Sequence, residues 1–504
     1  MVYLGPSRGC ETCKRRRKKC DKTRPSCLRC QKSNRTCGGY QEQASRAMIF
    51  QQNYTQTTTR TDYLAAVKPF ARRCSLPVRA PYPGTDILPD DATPKEVSEE
   101  DVVEFAVRGF FYDFTVSSPD SISASVGFLK NLELQVQLKG LDSVLGKACT
   151  MISYANNARK LRRPSFTTKA EVMYHELLRY LAKEISRPAS VRERSELTQL
   201  ASLMGLYEVV MADETRLAQI DVHARGLAGM LQVENSPLGF VWGVISHHSV
   251  SPSAKMRDPG LVRSPDLVSS LGSLHDILVE IYPLKMEAER VLVDLELIEP
   301  YAHALRQRAS ILNNRLAQWE ASVAPESRPI TISHVPSSSD PYIEVGHWPG
   351  PLHMYIDLRA AAIFNISRVA RCYLLDMISG LKAMQPDEED DDQEILKADQ
   401  LIQDFTSSIP YHLVEDLHSF SANVQRGNTI EQPGRAVGGL LLIYPLYIAS
   451  QLSIVPLELQ DYFKRCLAWI GQNMGVGYAS LLAKTHFHIG DLAAGCMIVY
   501  GGLL

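Results

Sequence analysis

Six cysteines, Cys10, Cys13, Cys20, Cys27, Cys30 and Cys37, follow the spacing C-x2-C-x6-C-x6-C-x2-C-x6-C. The run is two near-copies of one unit, each a C-x2-C pair with a third cysteine seven residues on. Two intervening residues let both sulfurs of a pair reach one ion at about 2.3 Å. Each unit offers three thiolates, whereas tetrahedral zinc takes four. Six thiolates fill the eight positions around two zinc ions only if two of them bridge. The spacing therefore predicts one compact two-zinc cluster rather than two separate fingers. A disulfide framework belongs to secreted domains, and Met1 to Gly9 lacks the apolar stretch of a secretory leader. Disulfides also leave the basic run between Cys13 and Cys20 unexplained.

Charge sharpens the reading. From Arg8 to Arg35 there are twelve Lys and Arg against Glu11 and Asp21, a formal +10. Two Zn²⁺ with six thiolates subtract two, leaving about +8 on the module. The whole chain is −2, so the remainder carries −12. Six consecutive cations, Lys14, Arg15, Arg16, Arg17, Lys18 and Lys19, repel one another unless an anionic partner screens them. Phosphate is the partner that such a footprint fits.

The cysteine spacing, the basic run, the Arg24-Pro25 step and the single Ser26 before the fourth cysteine resemble the fungal binuclear zinc-cluster DNA-binding domain. The resemblance implies that Cys10 and Cys27 bridge, that Cys13 and Cys20 complete the first zinc, and that Cys30 and Cys37 complete the second. It also implies a short helix after the first cysteine of each unit. The C-terminal end of the first helix would enter the major groove and read a G/C-rich, CGG-like triplet. Arg16 and Arg17 fall there, where arginine pairs with guanine O6/N7 and free carbonyls accept from cytosine N4. The family often has lysine at this position, and the rigid fork of arginine bears on the triplet preferred. Lys14, Arg15, Lys18, Lys19 and Lys32 are expected on phosphates, adding affinity rather than sequence choice. Three base pairs at about 1–3 kcal/mol each cannot mark a unique genomic site. A homo- or heterodimer partner is therefore expected, its half-site spacing set by whatever joins the two modules.

Beyond Tyr40 no heptad repeat holds over three turns, although a short helix around Glu42 to Gln52 fits the pattern. A polar Gln/Thr run is followed by Pro69, Pro77, Pro81, Pro83, Pro89 and Pro94, which favour extended chain. The expected organisation is a DNA-binding module over 1–40, a flexible linker over 41–95 and a helical regulatory domain over 96–504.

That large region reads as all-α. Leu197, Leu200, Leu203, Met204, Tyr207, Val210 and Met211 recur at helical steps, predicting one apolar face. Similar periods run over 127–154, 274–319, 354–384 and 457–484, with turn-rich breaks at 251–265 and 335–351. Alternating strand patterns are scarce. The phrases at 200–231, 438–453 and 465–483 resemble the helical regulatory region of fungal transcription factors, without the tryptophan that relatives often carry beside His223.

Other features are read plainly. Ala436 to Leu457 is uncharged over twenty-two residues, but its prolines, glycines and polar residues suit a buried helix pair better than a membrane span. The acidic run Asp387 to Asp392 lacks interleaved aromatics and reads as a solvated loop. His247-His248 and His486-x-His488 lack partner spacing for a metal. Cys74, Cys149, Cys372, Cys466 and Cys496 are scattered singly and read as packing residues of a reducing compartment. No Walker, G-x-S-x-G or G-x-G-x-x-G pattern occurs.

The expectation is a nuclear, zinc-dependent, sequence-specific regulator of RNA polymerase II transcription, not an enzyme. It would bind double-stranded DNA and contact transcription machinery, without a membrane, and Lys14 to Lys19 would double as a nuclear import signal. The competing reading is an enzyme or scaffold with an accessory nucleic-acid-binding zinc module. An enzyme predicts a pocket with convergent polar groups, whereas a regulator is expected to hold an apolar cavity. A single-strand reader needs stacking aromatics, and Cys10 to Cys37 holds none.

Overall fold

A computed structural model describes residues 12–13, 20–21, 23, 27–33, 37, 99–116, 129, 131–187, 191–214, 220, 222–227, 265–293, 295–337, 342–383, 393–424, 430, 432–485 and 498–500. The chain divides into two units, Met1–Arg60 and Thr61–Leu504. In the first, helix α1 spans Leu28–Lys32. Among its described residues the buried side chains are Thr12, Cys13, Cys27 and Cys30. With sulfur in place of an apolar core, this unit needs metal to hold a shape.

The second unit is built from helices. The first group comprises α2 (Glu99–Phe114), α3 (Leu132–Lys139), α4 (Val144–Lys160), α5 (Pro164–Ile185) and α6 (Val191–Met211). Helix α4 starts where Ser143 Oγ accepts from the Gly146 N–H, and α5 starts with Pro164 in its first turn. Helix α4 packs against α2, α5 and α6. Along α5, Ala170, Tyr174, Leu177 and Leu181 are buried at four- and three-residue steps.

Helix α6 departs from the single apolar face expected. From Gln199 to Ala212 every residue is buried, because the helix threads the core rather than lying on it. The uncharged run behaves likewise. Helix α12 (Ala436–Ala449) is buried at every position from Ala436 to Tyr447, which bears out the buried-helix reading. Among the described residues no helix is long and apolar enough to cross a membrane.

A second group holds α7 (Pro265–Val293), α8 (Leu295–Ser322), α9 (Leu358–Ala383), α10 (Gln393–Leu413), α11 (Leu417–Val424), α13 (Leu457–Asn473) and α14 (Gly477–Leu482) beside α12. Helix α9 lies between α8 and α10 and also meets α12. In α13 the buried positions Leu459, Tyr462, Phe463, Cys466, Leu467 and Ile470 trace the expected stripe.

One apolar core runs through both groups. Buried polar bonds pin them together. Asn156 Nδ2 on α4 donates to the carbonyls of Met474 (2.8 Å) and Gly475 (3.2 Å) beyond α13. Within the first group, partly buried Lys160 pairs with Asp113 at 2.8 Å, joining α4 to α2. The described residues of this region form one compact unit.

The fold adds one element that the sequence did not announce. Strands β1 (Ile330–Val335) and β2 (Gly350–Met354) pair antiparallel, with an irregularity between Thr331 and Ser333. The inner residues Val335 and Leu352 close a satellite core with Leu417, Phe420 and Val424 of α11. The 335–351 break is therefore mainly the hairpin's connection.

Candidate metal centre

Cysteine sulfurs meet at the N-terminal unit in two overlapping groups. The Sγ atoms of Cys13, Cys20 and Cys27 lie within 4.8 Å of one another, as do those of Cys27, Cys30 and Cys37. Cys27 belongs to both. Its Sγ is 3.7 Å from Cys13 Sγ, close to the roughly 3.8 Å edge of a thiolate tetrahedron built on 2.3 Å zinc–sulfur bonds. Cys13 Sγ also stands 3.9 Å from Cys30 Sγ. Five described sulfurs thus gather in two overlapping triads, with two pairs at 3.7 and 3.9 Å, and shared sulfurs are what a two-ion cluster of six thiolates requires. None of the five is in a disulfide.

The local chain explains how the sulfurs converge. Cys27 caps α1, its Sγ accepting from the Cys30 N–H at 3.3 Å. Cys37 Sγ accepts from the Cys27 N–H at 3.5 Å. Such N–H contacts orient the ligands. Thr12 and Cys13 are helical too, so helix follows the first cysteine of each unit, as the resemblance implies.

Asp21, in sequence terms only a negative charge, holds the second unit. Its Oδ1 accepts from the Leu28 N–H at 3.0 Å and its Oδ2 from the Arg29 N–H at 2.9 Å. The Thr23 hydroxyl donates to Oδ1 at 2.7 Å. These are the orphan donors of a helix start, and a carboxylate there is favoured by the helix dipole. The Thr23 hydroxyl, with the N–H groups of Arg29, Thr23 and Leu28, holds the exposed Asp21 carboxyl well below the usual carboxylate range. The available signal was an acid placed just before a C-x2-C helix, but six residues separate it from the turn it caps. At the other end of α1, Ser33 Oγ donates to the carbonyls of Arg29 (2.9 Å) and Cys30 (3.2 Å).

Of the expected DNA contacts, Lys32 is described: it lies in the last turn of α1 and is exposed. Cys10, Lys14, Arg15, Arg16, Arg17, Lys18 and Lys19 lie outside the described residues, as does the 41–95 linker.

Residues 8–47 match the fungal Zn(2)-Cys(6) binuclear cluster domain. Over 423 residues, 83% of this chain and 100% of the relative, it is 38% identical to transcription factor dbaG of Emericella nidulans. The chain belongs to the fungal Zn(2)-Cys(6) binuclear cluster transcription factors. Its cluster domain binds two zinc ions, a load that the convergent sulfurs fit. A further likeness is confined to the module: 60% identity over 37 residues with transcriptional regulatory protein moc3 of Schizosaccharomyces pombe, 7% of either chain. No solved structure matches this transcription factor.

The large unit supplies no second metal cluster among its described residues. His247, His248, His486, His488 and Asp387 to Asp392 lie outside them, as do Cys74 and Cys496. Cys149, Cys372 and Cys466 are buried, as packing residues should be. Burial pushes the thiols of Cys372 and Cys466 up to about 12, far from a reactive thiolate. An open groove of about 530 Å³ lies between α8, α9 and α10. Its lining mixes charged side chains with apolar Phe364, Leu401 and Pro329, so it is not the purely apolar chamber expected of a regulator. Its lining holds no Ser, Thr or Cys that could serve as a nucleophile.

Proposed function

We propose that this transcription factor reads G/C-rich, CGG-like triplets in duplex DNA through its zinc cluster and regulates RNA polymerase II transcription in the nucleus. Cys10 and Cys27 bridge the ions, Cys13 and Cys20 complete one site, and Cys30 and Cys37 complete the other. Arg16 and Arg17 meet base edges, while Lys14, Arg15, Lys18, Lys19 and Lys32 meet phosphates. Lys14 to Lys19 also act as the nuclear import signal. The module occupies 1–40, the linker 41–95 and the regulatory domain 96–504. A second subunit, identical or not, supplies the second half-site, and the helical domain contacts transcription machinery. The protein is not an enzyme.

The observation that carries this reading is Cys27, whose sulfur belongs to both thiolate triads. Only two shared ligands let six cysteines satisfy two tetrahedral ions, and only that cluster gives a module without an apolar core a rigid surface for a groove. The twelve cations between Arg8 and Arg35 supply the attraction to phosphate.

The test is binding of the zinc-loaded full chain to duplexes with paired CGG triplets, scrambled duplexes and matched single strands. Preference for the triplet duplex, abolished by a chelator and restored by zinc, is the expected result. Binding indifferent to chelation, or equal on single strands, would defeat the reading.

A further inference from the structure

The groove in the helical domain has the chemistry of an acid-binding site. At its centre is Arg368 on α9, whose side chain is 1% exposed although it carries a full charge. Its hydrogen bonds all leave from one terminal nitrogen. Nη1 donates to the Tyr355 hydroxyl (2.7 Å), the Asp404 main-chain carbonyl (3.1 Å) and Asn365 Oδ1 (3.4 Å). The other edge, Nε with Nη2, pairs in parallel with carboxylates wherever arginine binds them bidentately. In this protein Nε makes no hydrogen bond. The carboxylate oxygen facing it, Glu320 Oε1, stands 3.7 Å away, beyond hydrogen-bond reach.

Glu320 is engaged elsewhere. Its Oε2 accepts from Arg371 Nη1 at 3.0 Å, so two guanidinium groups share one carboxylate. Arg328, also in the lining, directs its donors to the main-chain carbonyls of Val323 (2.8 Å) and Ala321 (2.5 Å). Lys397 is exposed at the rim. Against these four cations the lining sets two carboxylates, Glu320 and Asp404, an excess of two positive charges. Glu320 is thus a counter-charge that Arg368 shares with Arg371, and an anion from outside would complete the pairing of the buried cation.

Two further observations point to the same occupant. His353 on β2 lines the groove, is 8% exposed, and its Nδ1 makes no hydrogen bond. Burial and the neighbouring Arg368 push its imidazole below the ordinary histidine range, so it is neutral at neutral pH. Beside the charges lie apolar surfaces, with Phe364 under the Arg368 guanidinium at 5.5 Å and Leu401 across the groove. The volume, about 530 Å³, lies within the range of small-molecule sites.

We propose that this groove binds a small organic acid, its carboxylate on the Nε–Nη2 edge of Arg368 and its apolar body against Phe364 and Leu401. Glu320 is the competitor that the ligand must outbid for Arg368 and Arg371. The site lies wholly in the helical domain and does not depend on the DNA-reading assignment.

Benzoate is a suitable probe for the zinc-loaded full chain, with benzyl alcohol as its uncharged counterpart and inorganic phosphate as a bare anion. Calorimetric titration and thermal unfolding should show saturable binding and stabilisation by benzoate, with neither from the alcohol nor from phosphate. Lys397→Gln should raise the benzoate Kd roughly two- to five-fold while leaving the unliganded melting temperature unchanged. Glu320→Gln, which removes the competitor, should lower that Kd by roughly ten-fold, an effect opposite in sign to that of simply losing a structural ion pair. Three results would overturn the assignment: no benzoate binding, equal binding of the alcohol or of phosphate, or weaker binding by Glu320→Gln.

Discussion

The carboxylate of Asp21 accepts from the main-chain N–H of Arg29 at 2.9 Å, tying the chain after the third cysteine to the first turn of the next unit's helix. Cys27 is the N-cap of that helix, so the acid positions the shared sulfur without touching it. Asp21→Ala should therefore weaken zinc binding about 10- to 100-fold, the range for groups that orient metal ligands. A competitive chelator titration measures it. The folded carboxyl is depressed, so its contribution is full above the ordinary carboxylate pKa and is lost as pH falls below it.

Because Cys27 belongs to both sulfur triads, its loss should affect both ions. Native mass spectrometry of Cys27→Ala should show no bound zinc, while Cys149→Ala, a buried packing thiol of the helical domain, should retain the full complement. One ion retained by Cys27→Ala would mean that the sulfur does not bridge.

Arg17 and Lys32 should separate sequence choice from affinity. Arg17→Ala should flatten triplet preference by about 1–3 kcal/mol in competition binding, with zinc content unchanged. Lys32→Ala, at an exposed position, should weaken all duplexes alike and reduce the salt slope by about one.

The helical domain should lose stability in mild acid. Burial lowers His223, which bonds the Tyr174 hydroxyl at 2.8 Å, to about 4. Burial also lowers His412 to about 4, and its two ring nitrogens face Gly438 O and Asn365 Nδ2, both at 3.2 Å. Both groups are neutral when folded and protonate more readily when unfolded. Their contribution is complete above about pH 6.5 and falls by about 1.4 kcal/mol per pH unit per histidine toward pH 4. Urea unfolding across that window should show the decline, and His223→Phe should make it shallower.

Gly438 marks a close helix crossing. A Cβ there would stand 2.2 Å from the His412 carbonyl oxygen, a backbone atom that cannot turn aside. Gly438→Ala should destabilise the domain by about 1–3 kcal/mol in chemical denaturation.

The zinc cluster was legible because its ligands lie within one short stretch, where chelation follows from residue type and spacing. The stripe of α13 was legible for a related reason: a helix lying on a core with one face shows its period in its apolar residues. Helix α6 misled because a helix buried on every side mixes Ser202, Gly205 and Glu208 among its apolar residues, and its pattern does not mark which neighbours surround it. The hairpin was missed because its strands are short and carry polar Thr331, Ser333, His334 and His353.

By itself, then, the sequence determined a two-ion sulfur cluster, its cationic surroundings and a mostly helical body, since metal chelation, charge and helical period all act over a few residues. Tertiary structure alone decided that Asp21 caps the helix carrying Cys27, that Asn156 meets Met474, and that Arg368 is buried with its Nε unbonded. Those relationships depend on which distant atoms fill the space around a group, and burial is what leaves an ordinary arginine of an apolar helix sharing its counter-charge with a second arginine.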